Sequence, residues 1–266
     1  MDMIFLNRRR VLQSAFVALC TSGHDAFAAQ ALESLTKKGS IKIGVPSDLP
    51  PFGFVDTDKQ LVGLDIDIAH LVAKFMGLKA ELLPVLSADR VAWLQQKKVD
   101  LVISTLGKNP EREKLIDFSE TYANFHLVVF GPKSMAVASG ADLNGQTVVV
   151  TKGSLEDAEL TKVASSKAQI IRAENNAETL AAYVDKKATL IAAGIGVGTA
   201  LSVKYPALET EVKFVLKESP NFIGVPKGEA ELLAKVNDAL QAAKTSGELR
   251  TIQKRWFSRS GLKMGS

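Results

Sequence analysis

The sequence predicts an α/β protein in which mostly parallel sheets are flanked by helices. Short apolar runs typical of strands alternate along the chain with longer runs that repeat apolar residues at helical spacing, and this alternation favours parallel strand pairing. The chain has 266 residues, of which 46% are apolar. It can therefore bury either one large core or the cores of two lobes.

The predicted elements run through one series and then start again. In the first half we predict strands at 41–45, 80–85, 101–105 and 126–130, with helices from Leu64 and at 88–97. Pro132 and the small, polar residues 134–140 interrupt this pattern. In the second half we predict strands at 147–151, 170–171, 188–192 and 212–216, with helices from Leu155, at 177–186 and from Ala230. The restart indicates a second lobe.

The helix from Leu64 has a clear start signal. Gly63 frees the backbone to turn into the helix, and Asp65 and Asp67 favour its positive N-terminal end. The apolar residues that follow recur on one face, as expected for a helix that packs on a core. We therefore interpret the two acids as a helix start and not as a site.

Residues 1–28 differ from the rest of the chain and predict a cleavable signal peptide. Arginines at 8–10 precede an apolar stretch at 11–20, and Ala26 and Ala28 form a small-x-small cleavage site. Residues 7–13 also resemble a twin-arginine motif, so the twin-arginine route and general secretion both stay open. The single cysteine, Cys20, lies in this segment, which leaves the mature chain without a thiol or a disulfide.

Charge and composition argue against nucleic-acid and metal sites. Losing three Arg and two Asp with the signal lowers the formal charge from +4 to +3. The lysines are scattered and are not interleaved with aromatic residues, so we expect no nucleic-acid binding. His70 and His126 are unconnected and do not predict a zinc site. We expect no metal and no cofactor.

A carboxylate receptor is predicted where the strand at 101–105 ends. The hydroxyls of Ser104 and Thr105 close this strand, and Arg112 follows after a short loop. Hydroxyls, free backbone amides and a guanidinium can together bind both oxygens of a small acid. The alternative is a surface arginine that pairs with Glu111 or Glu113.

Two motifs together resemble a known family. Residues 63–68 read Gly-Leu-Asp-Ile-Asp-Ile, and Arg112 is followed by the run Asp-Phe-Ser at 117–119. In this order and spacing they resemble the periplasmic solute-binding proteins, family 3, of polar amino acid ABC importers, over residues 41–257. The resemblance implies the two-lobed periplasmic binding protein fold of type II. Lobe 1 would comprise 40–125 plus 222–266, lobe 2 would comprise 126–221, and the ligand cleft would lie at the hinge.

The resemblance also implies a function. We expect an extracytoplasmic substrate-binding protein, located in the periplasm, that delivers a small carboxylate-bearing solute to the membrane subunits of an ABC importer by cleft closure. The solute would be an amino acid or a related organic acid, and the protein would be a monomer without catalytic residues. One alternative is an enzyme similar to cyclohexadienyl dehydratases, with Glu156, Asp157 or Glu218 as proton donor. Another is a periplasmic accessory or sensor subunit.

The family pattern also implies the ligand-binding positions. In lobe 1 the carboxylate would meet Ser104, Thr105, Gly107 and Arg112. In lobe 2 it would meet Thr151, Gly153 and Ser154, where the last two amides face an anion at a helix N-terminus. Ser87 and Arg90 match a stretch that can meet a side-chain carboxylate, although pairing with Asp89, or capping, is the favoured role of Arg90.

Several of these positions depart from the family pattern. Leu49 and Ser87 stand where aromatic or apolar plates usually sandwich the ligand. Gly194 and Pro46 stand where acids are found. Burying an ammonium without a counter-charge costs several kcal/mol. These departures from the family pattern therefore predict a ligand whose α-ammonium is absent or stays solvated, with a second acidic group near Ser87 and Arg90 as a further option.

The export signal generates a first prediction. N-terminal sequencing of the protein recovered from the periplasm should give a mature chain that begins near Ala29. A mature chain that begins with an acylated Cys20 would contradict it. Replacing Arg8 and Arg9 with lysine separates the two routes, since only twin-arginine export depends strongly on the arginine pair.

Overall fold

The computed structural model describes residues 32–259, which form two five-stranded sheets and one small three-stranded sheet. The strands are β1 (Ser40–Val45), β2 (Asp48–Leu49), β3 (Gly53–Val55), β4 (Leu61–Val62), β5 (Lys79–Pro84), β6 (Leu101–Leu106), β7 (Ile116–Ala123), β8 (His126–Pro132), β9 (Thr147–Thr151), β10 (Gln169–Ala173), β11 (Leu190–Gly194), β12 (Thr210–Glu218) and β13 (Asn221–Pro226). The helices are α1 (residues 32–38), α2 (Leu64–Phe75), α3 (Arg90–Gln95), α4 (Pro110–Glu113), α5 (Leu155–Val163), α6 (Asn176–Val184), α7 (Ile195–Lys204), α8 (Ala230–Ser246) and α9 (Glu248–Arg259).

The two large sheets have matching topologies. The first has the order β5-β1-β6-β13-β7, and the second has the order β10-β9-β11-β8-β12. In each sheet the first three strands are parallel, and the fourth pairs antiparallel with both of its neighbours. Four of the five strands in each sheet therefore run in one direction. This confirms the predicted α/β class with mostly parallel sheets.

Two segments connect the sheets. The chain leaves the first sheet after Ala123 and enters the second at His126, and it returns between Glu218 and Asn221. Helices α8 and α9 then pack on α2 and complete the first lobe. The carboxyl ends of the parallel strands β6 and β9 carry Thr105 and Thr151, which lie on the same cavity. The fold thus directs both sheets toward one cleft.

The core of the first lobe is organised around α2. Leu64, Ile68 and Val72 on one face of this helix are fully buried. They belong to a cluster that also holds apolar residues of β1, β6, α8 and α9. In the second lobe, separate clusters cover the two faces of the sheet. No helix among residues 32–259 combines the length and apolar character needed to cross a membrane.

Most predicted elements lie where the sequence placed them, and the differences have local causes. The helix predicted at 88–97 is the shorter α3, because Lys97 adopts a left-handed φ of 53°. The helix predicted at 177–186 ends at Val184, close before Lys186 with a φ of 58°. The sequence analysis did not predict strands β2, β3, β4, β7 and β13 or helices α1, α4, α7 and α9. The predicted signal peptide lies outside the described residues.

Gly63 fixes how α2 begins. Its φ of 145° is accessible to glycine and is strained for other residues. The carbonyls of Pro51 and Phe52 accept the first amides of the helix, from Leu64 at 3.0 Å and Asp65 at 2.8 Å. A Cβ at Gly63 would lie 2.1 Å from the Phe52 oxygen. The carbonyls that cap α2 therefore leave no room for a side chain.

This contact predicts unequal costs for two glycine substitutions. Gly77→Ala should cost about 1 kcal/mol of unfolding free energy, because Gly77 has a φ of 69° but open space around its Cβ position. Gly63→Ala should cost at least about twice as much, since strain and collision with backbone act together. Urea unfolding of both variants measures the difference, and equal losses would show that the Phe52 contact relaxes without cost.

Candidate ligand cleft

A cavity between the two lobes collects most of the predicted ligand-binding residues. Leu49, Ser87, Arg90 and Thr105 line it from the first lobe. Thr151, Ser154 and Gly194 line it from the second. Ser104 lies behind Arg90, while Gly107, Arg112 and Gly153 contact one another beside the cavity without lining it. The sequence analysis assigned the ligand carboxylate to Arg112 and favoured a structural role for Arg90. In the structure Arg90 lines the cavity and Arg112 lies beside it.

Arg90 is the cationic side chain of the cavity wall. It is 4% exposed, and its hydrogen bonds go to hydroxyls, with Nε donating to Ser104 at 3.1 Å and Nη2 to Thr105 at 3.4 Å. Among the described residues no carboxylate lies within ion-pair distance of it, so the favoured pairing with Asp89 is wrong. Burial lowers the pKa of the Arg90 guanidinium, and the charges of Glu156 and Asp65 oppose this shift.

Asp65 lies beneath Arg90 and supports the loop that follows β6. Its carboxyl is fully buried and accepts hydrogen bonds from the Tyr122 hydroxyl and from the Thr105 amide, each at 2.8 Å. Thr105 has a left-handed φ of 43°, a strained conformation that neighbouring contacts must hold. Asp65 is in the first turn of α2, as predicted, but it also positions the cleft.

Burial raises the pKa of Asp65 to about 7, although the Tyr122 and Thr105 hydrogen bonds and the charge of Arg90 all lower it. The other acid of the motif, Asp67, accepts from the Trp256 ring nitrogen at 2.7 Å and from Arg255 at 3.1 Å. It ties α2 to α9. The interpretation of this acidic pair as a helix start alone therefore missed two tertiary roles.

Arg112 bridges the lobes at the rim of the cavity. Asn109 caps the short helix α4 by accepting the Arg112 amide at 2.8 Å. The guanidinium donates to the carbonyl of Gly107 at 2.8 Å and to the carbonyl of Gly153, in the second lobe, at 3.1 Å. Burial lowers its pKa to about 10, helped by the charge of Arg90 and opposed by Glu156. It stays charged at neutral pH, and it does not pair with either neighbouring glutamate.

In the turn before α5, the amides of Gly153 and Ser154 have partners that the sequence analysis did not predict. The Gly153 amide donates to Asp157 at 3.2 Å, and the Ser154 amide donates to the carbonyl of Thr151 at 3.2 Å. The Gly153 amide therefore faces a carboxylate of its own lobe, and both amides are occupied in this structure, so their contact with a ligand anion stays a prediction. Ser154 instead caps α5, with its hydroxyl accepting the Asp157 amide at 3.1 Å.

Gly194 lacks an acidic side chain for a steric reason. A Cβ at this position would lie 1.8 Å from the ring of Phe125, which occupies the space. The cavity nevertheless contains a carboxylate, because Glu156 lines it from the first turn of α5. The sequence singled out Glu156 only as a proton donor. Glu156 follows the helix-capping Ser154 by two residues. Because the turn at Ser154 was predicted to face the cleft, this spacing could have identified Glu156 as a second cleft residue.

Asn176 and Thr179 at the start of α6 also line the cavity and were not predicted. Both contact Thr151, whose hydroxyl lies 3.0 Å from the Asn176 side-chain oxygen and 2.8 Å from the Thr179 hydroxyl. Nothing in a single sequence marks this helix as adjacent to β9 at the cleft. Within residues 32–259, no cluster of three or more His, Cys, Asp or Glu side chains could hold a metal ion.

Comparison with known proteins gives one consistent result. The family model for bacterial extracellular solute-binding proteins, family 3, matches residues 41–259. The arginine-binding extracellular protein ArtP of Bacillus subtilis is 27% identical over 226 residues, which cover 83% of this chain and 87% of ArtP.

Solved structures agree with this match. The cysteine-binding protein of Campylobacter jejuni is 26% identical, with a TM-score of 0.81, and the match covers 86% of this chain and 94% of that one. An ancestral amino acid-binding protein, described as a precursor of cyclohexadienyl dehydratase, is 30% identical with a TM-score of 0.78 over 85% of this chain and 99% of that one. These neighbours confirm the predicted two-lobed fold of type II.

The buried Asp65 generates a prediction about pH. Its pKa of about 7 in the folded protein lies above the ordinary value of 3.8, so the folded state binds more protons between these pH values. The free energy of unfolding should therefore fall as pH rises from about 4 to about 7, by at most about 1.4 kcal/mol per pH unit from this group. Asp65→Asn should lack this component. Unfolding curves measured at several pH values test it, and parallel pH profiles for the two proteins would contradict it.

Proposed function

The chain belongs to the bacterial extracellular solute-binding proteins, family 3, and on this premise we propose that it captures a small carboxylate-bearing solute between its lobes and delivers it to an ABC importer. The observation that carries the choice of ligand is the buried, unpaired guanidinium of Arg90 in the cavity wall. Glu156 and Asp65 act on Arg90 without forming an ion pair with it, and a buried charge without a contacting counter-charge costs several kcal/mol. A ligand carboxylate would supply that counter-charge.

We propose that Arg90 and Arg112 both bind the ligand anion, each from a different position in the cleft. Arg112, at the rim, has free N–H groups beyond those that contact Gly107 and Gly153, and it would clamp the carboxylate as the lobes close. Arg90 would contribute its charge from the wall, together with the hydroxyls of Ser104 and Thr105. Two neighbouring cations favour an anionic group at this end of the cavity.

Glu156 supports a ligand that also carries a cationic group. It is the acidic side chain that lines the cavity among the described residues, and it lies across from Arg90 on the other lobe. A zwitterion would place its carboxylate near the arginines and its ammonium near Glu156. The relatives are named as binding proteins for arginine, cystine, glutamine or cysteine. We therefore propose an amino acid ligand ahead of an acid that lacks an ammonium.

We propose that the protein binds its ligand without transforming it. Of the three acids considered as proton donors, Asp157 is paired with Arg172 at 2.8 Å and Glu218 with His126 at 3.5 Å. Glu156 alone of the three lines the cavity, and its proposed role there is to hold the ammonium. The relatives named above are binding proteins, which supports the same choice.

The proposal includes the wider organisation of the chain. We propose a periplasmic monomer, exported by the signal at 1–28 through the twin-arginine or the general route, with lobe 1 at 40–125 plus 222–266 and lobe 2 at 126–221. The two connections between the sheets, near residues 124–125 and 219–220, support these boundaries. Delivery to the importer would depend on the closed arrangement of the lobes.

A melting screen identifies the ligand class. A ligand at ~100 times its dissociation constant adds about 2.7 kcal/mol, which shifts the melting temperature of a chain of this size by roughly 5 to 10 °C. We expect a standard amino acid to give the largest shift in a panel that also holds hydroxy, keto and dicarboxylic acids. If no acid in the panel shifts the transition, the proposed ligand class is wrong. Turnover of a bound cyclic acid would instead establish the enzyme.

Variants of the two arginines then test the site. Arg112→Ala should weaken binding of the screened ligand by roughly 10² to 10⁴, and Arg112→Lys should not restore it, because an ammonium does not replace the planar fork. Arg90→Met should also abolish the thermal shift but should not lower the melting temperature without ligand, since it removes an unpaired buried charge. Calorimetry and melting curves separate the outcomes. An Arg90→Met variant that melts early and still binds would make Arg90 a structural residue.

A further inference from the structure

We propose that Asp48 is a latch between the lobes, a positioning residue that sets how readily the cleft closes. Asp48 lies in β2 of the first lobe, and its carboxylate reaches the first turn of α6 in the second lobe. One oxygen accepts the Asn176 amide at 2.8 Å and the Ala177 amide at 3.3 Å, and the other accepts the Asn176 side-chain nitrogen at 2.9 Å. The latch deepens the proposed function, on which its biological role rests.

The chemistry of a helix start explains the strength of this contact. The first amides of a helix have no partner within the helix, and they form its positive end. Asn175, in the same lobe, caps the third position by accepting the Glu178 amide at 2.8 Å. The first two amides are instead satisfied by Asp48 from the other lobe. A carboxylate at this place makes charge-assisted hydrogen bonds that exist only while the lobes are together.

The latch is adjacent to the cavity. The hydrogen bonds of the Asp48 carboxylate go to α6 and not to Arg90, Arg112 or Glu156, although its charge also acts on Arg90. Leu49, the neighbour of Asp48, lines the cavity, and so does Asn176. Arg112 also crosses the cleft, through Gly153 at 3.1 Å, but it belongs to the proposed anion site, so ligand binding changes its contacts. The Asp48 side chain, which projects from the first lobe, contacts protein groups of the second lobe. It therefore acts on the closing equilibrium, and through the fraction of closed protein it acts on the apparent affinity.

The chain offers a matched set of variants. Asp48→Ala removes the latch, and Asp48→Asn keeps an oxygen acceptor while removing the charge. Asn175→Ala removes a cap from the same helix without crossing the cleft, so it is the control for loss of helix stability. The exposed serines Ser34, on α1, and Ser166, in the second lobe, can be changed to cysteine for spin labels, because the mature chain lacks cysteine. Helix α1 packs on the core of the first lobe through Leu35.

The test measures the distance between the labels in protein freed of ligand by unfolding and refolding, together with hydrogen exchange at residues 175–178. We expect Asp48→Ala to raise the ratio of open to closed protein roughly fivefold, which corresponds to about 1 kcal/mol of capping, and Asp48→Asn to have a smaller effect. Asp48→Ala should speed exchange at Asn176 and Ala177. Asn175→Ala should speed exchange at Glu178 and leave the distances unchanged.

Two results would overturn the latch. One is an Asp48→Ala protein with the distance distribution of the parent, and the other is a parent that is already fully open with unprotected amides at 176 and 177. Because no ligand is added, failure of the melting screen would refute the proposed ligand without deciding the latch. An unchanged distance distribution would refute the latch without deciding the ligand.

Discussion

The cleft depends on one buried polar cluster, in which Asp65 holds the loop after β6 and Arg90 lies above it. Asp65 accepts hydrogen bonds from the Thr105 amide and from the Tyr122 hydroxyl, and the first of these holds Thr105 in its left-handed conformation. The hydroxyls of Ser104 and Thr105 then accept hydrogen bonds from the Arg90 guanidinium. Helix α2, strands β6 and β7 and helix α3 thereby meet at one point. Such a buried network specifies a single geometry only when its groups are satisfied, and we propose that a ligand anion completes the contacts of Arg90.

Closure of the lobes brings together charges that each lobe holds separately. The first lobe contributes Arg90 and Arg112, and the second contributes Glu156. A ligand with both charges gains contacts in the closed form that it lacks in the open one, which is the condition for a ligand to shift that equilibrium. Asp48 contributes to the same equilibrium from outside the ligand site. In our proposal Asp48 changes the apparent affinity through the fraction of closed protein, whereas the charged groups of the cavity contact the ligand directly.

Periodic apolar patterns predicted the fold class and most strands and helices, and the family resemblance implied seven of the residues that line the cavity. They could not rank the arginines, because the burial of Arg90 depends on α3 packing against β6 and β13. They also missed Asn176 and Thr179 as cavity residues, since α6 approaches the first lobe only after the sheets are joined. Glu156 was missed as well, although its place two residues after Ser154 indicated the cleft. Asp157 and Thr151 satisfy the amides of Gly153 and Ser154 locally, a pairing that the sequence did not reveal.

Native mass spectrometry of the protein purified from the periplasm tests the central claim most directly. That claim is that a ligand anion compensates the buried guanidinium of Arg90. We predict a mass above that of the mature chain by one small molecule, which fragmentation identifies as a carboxylic acid with an amino group. A co-purified ligand without an acidic group would contradict the account. So would a chain that keeps the same ligand when both Arg90 and Arg112 are replaced.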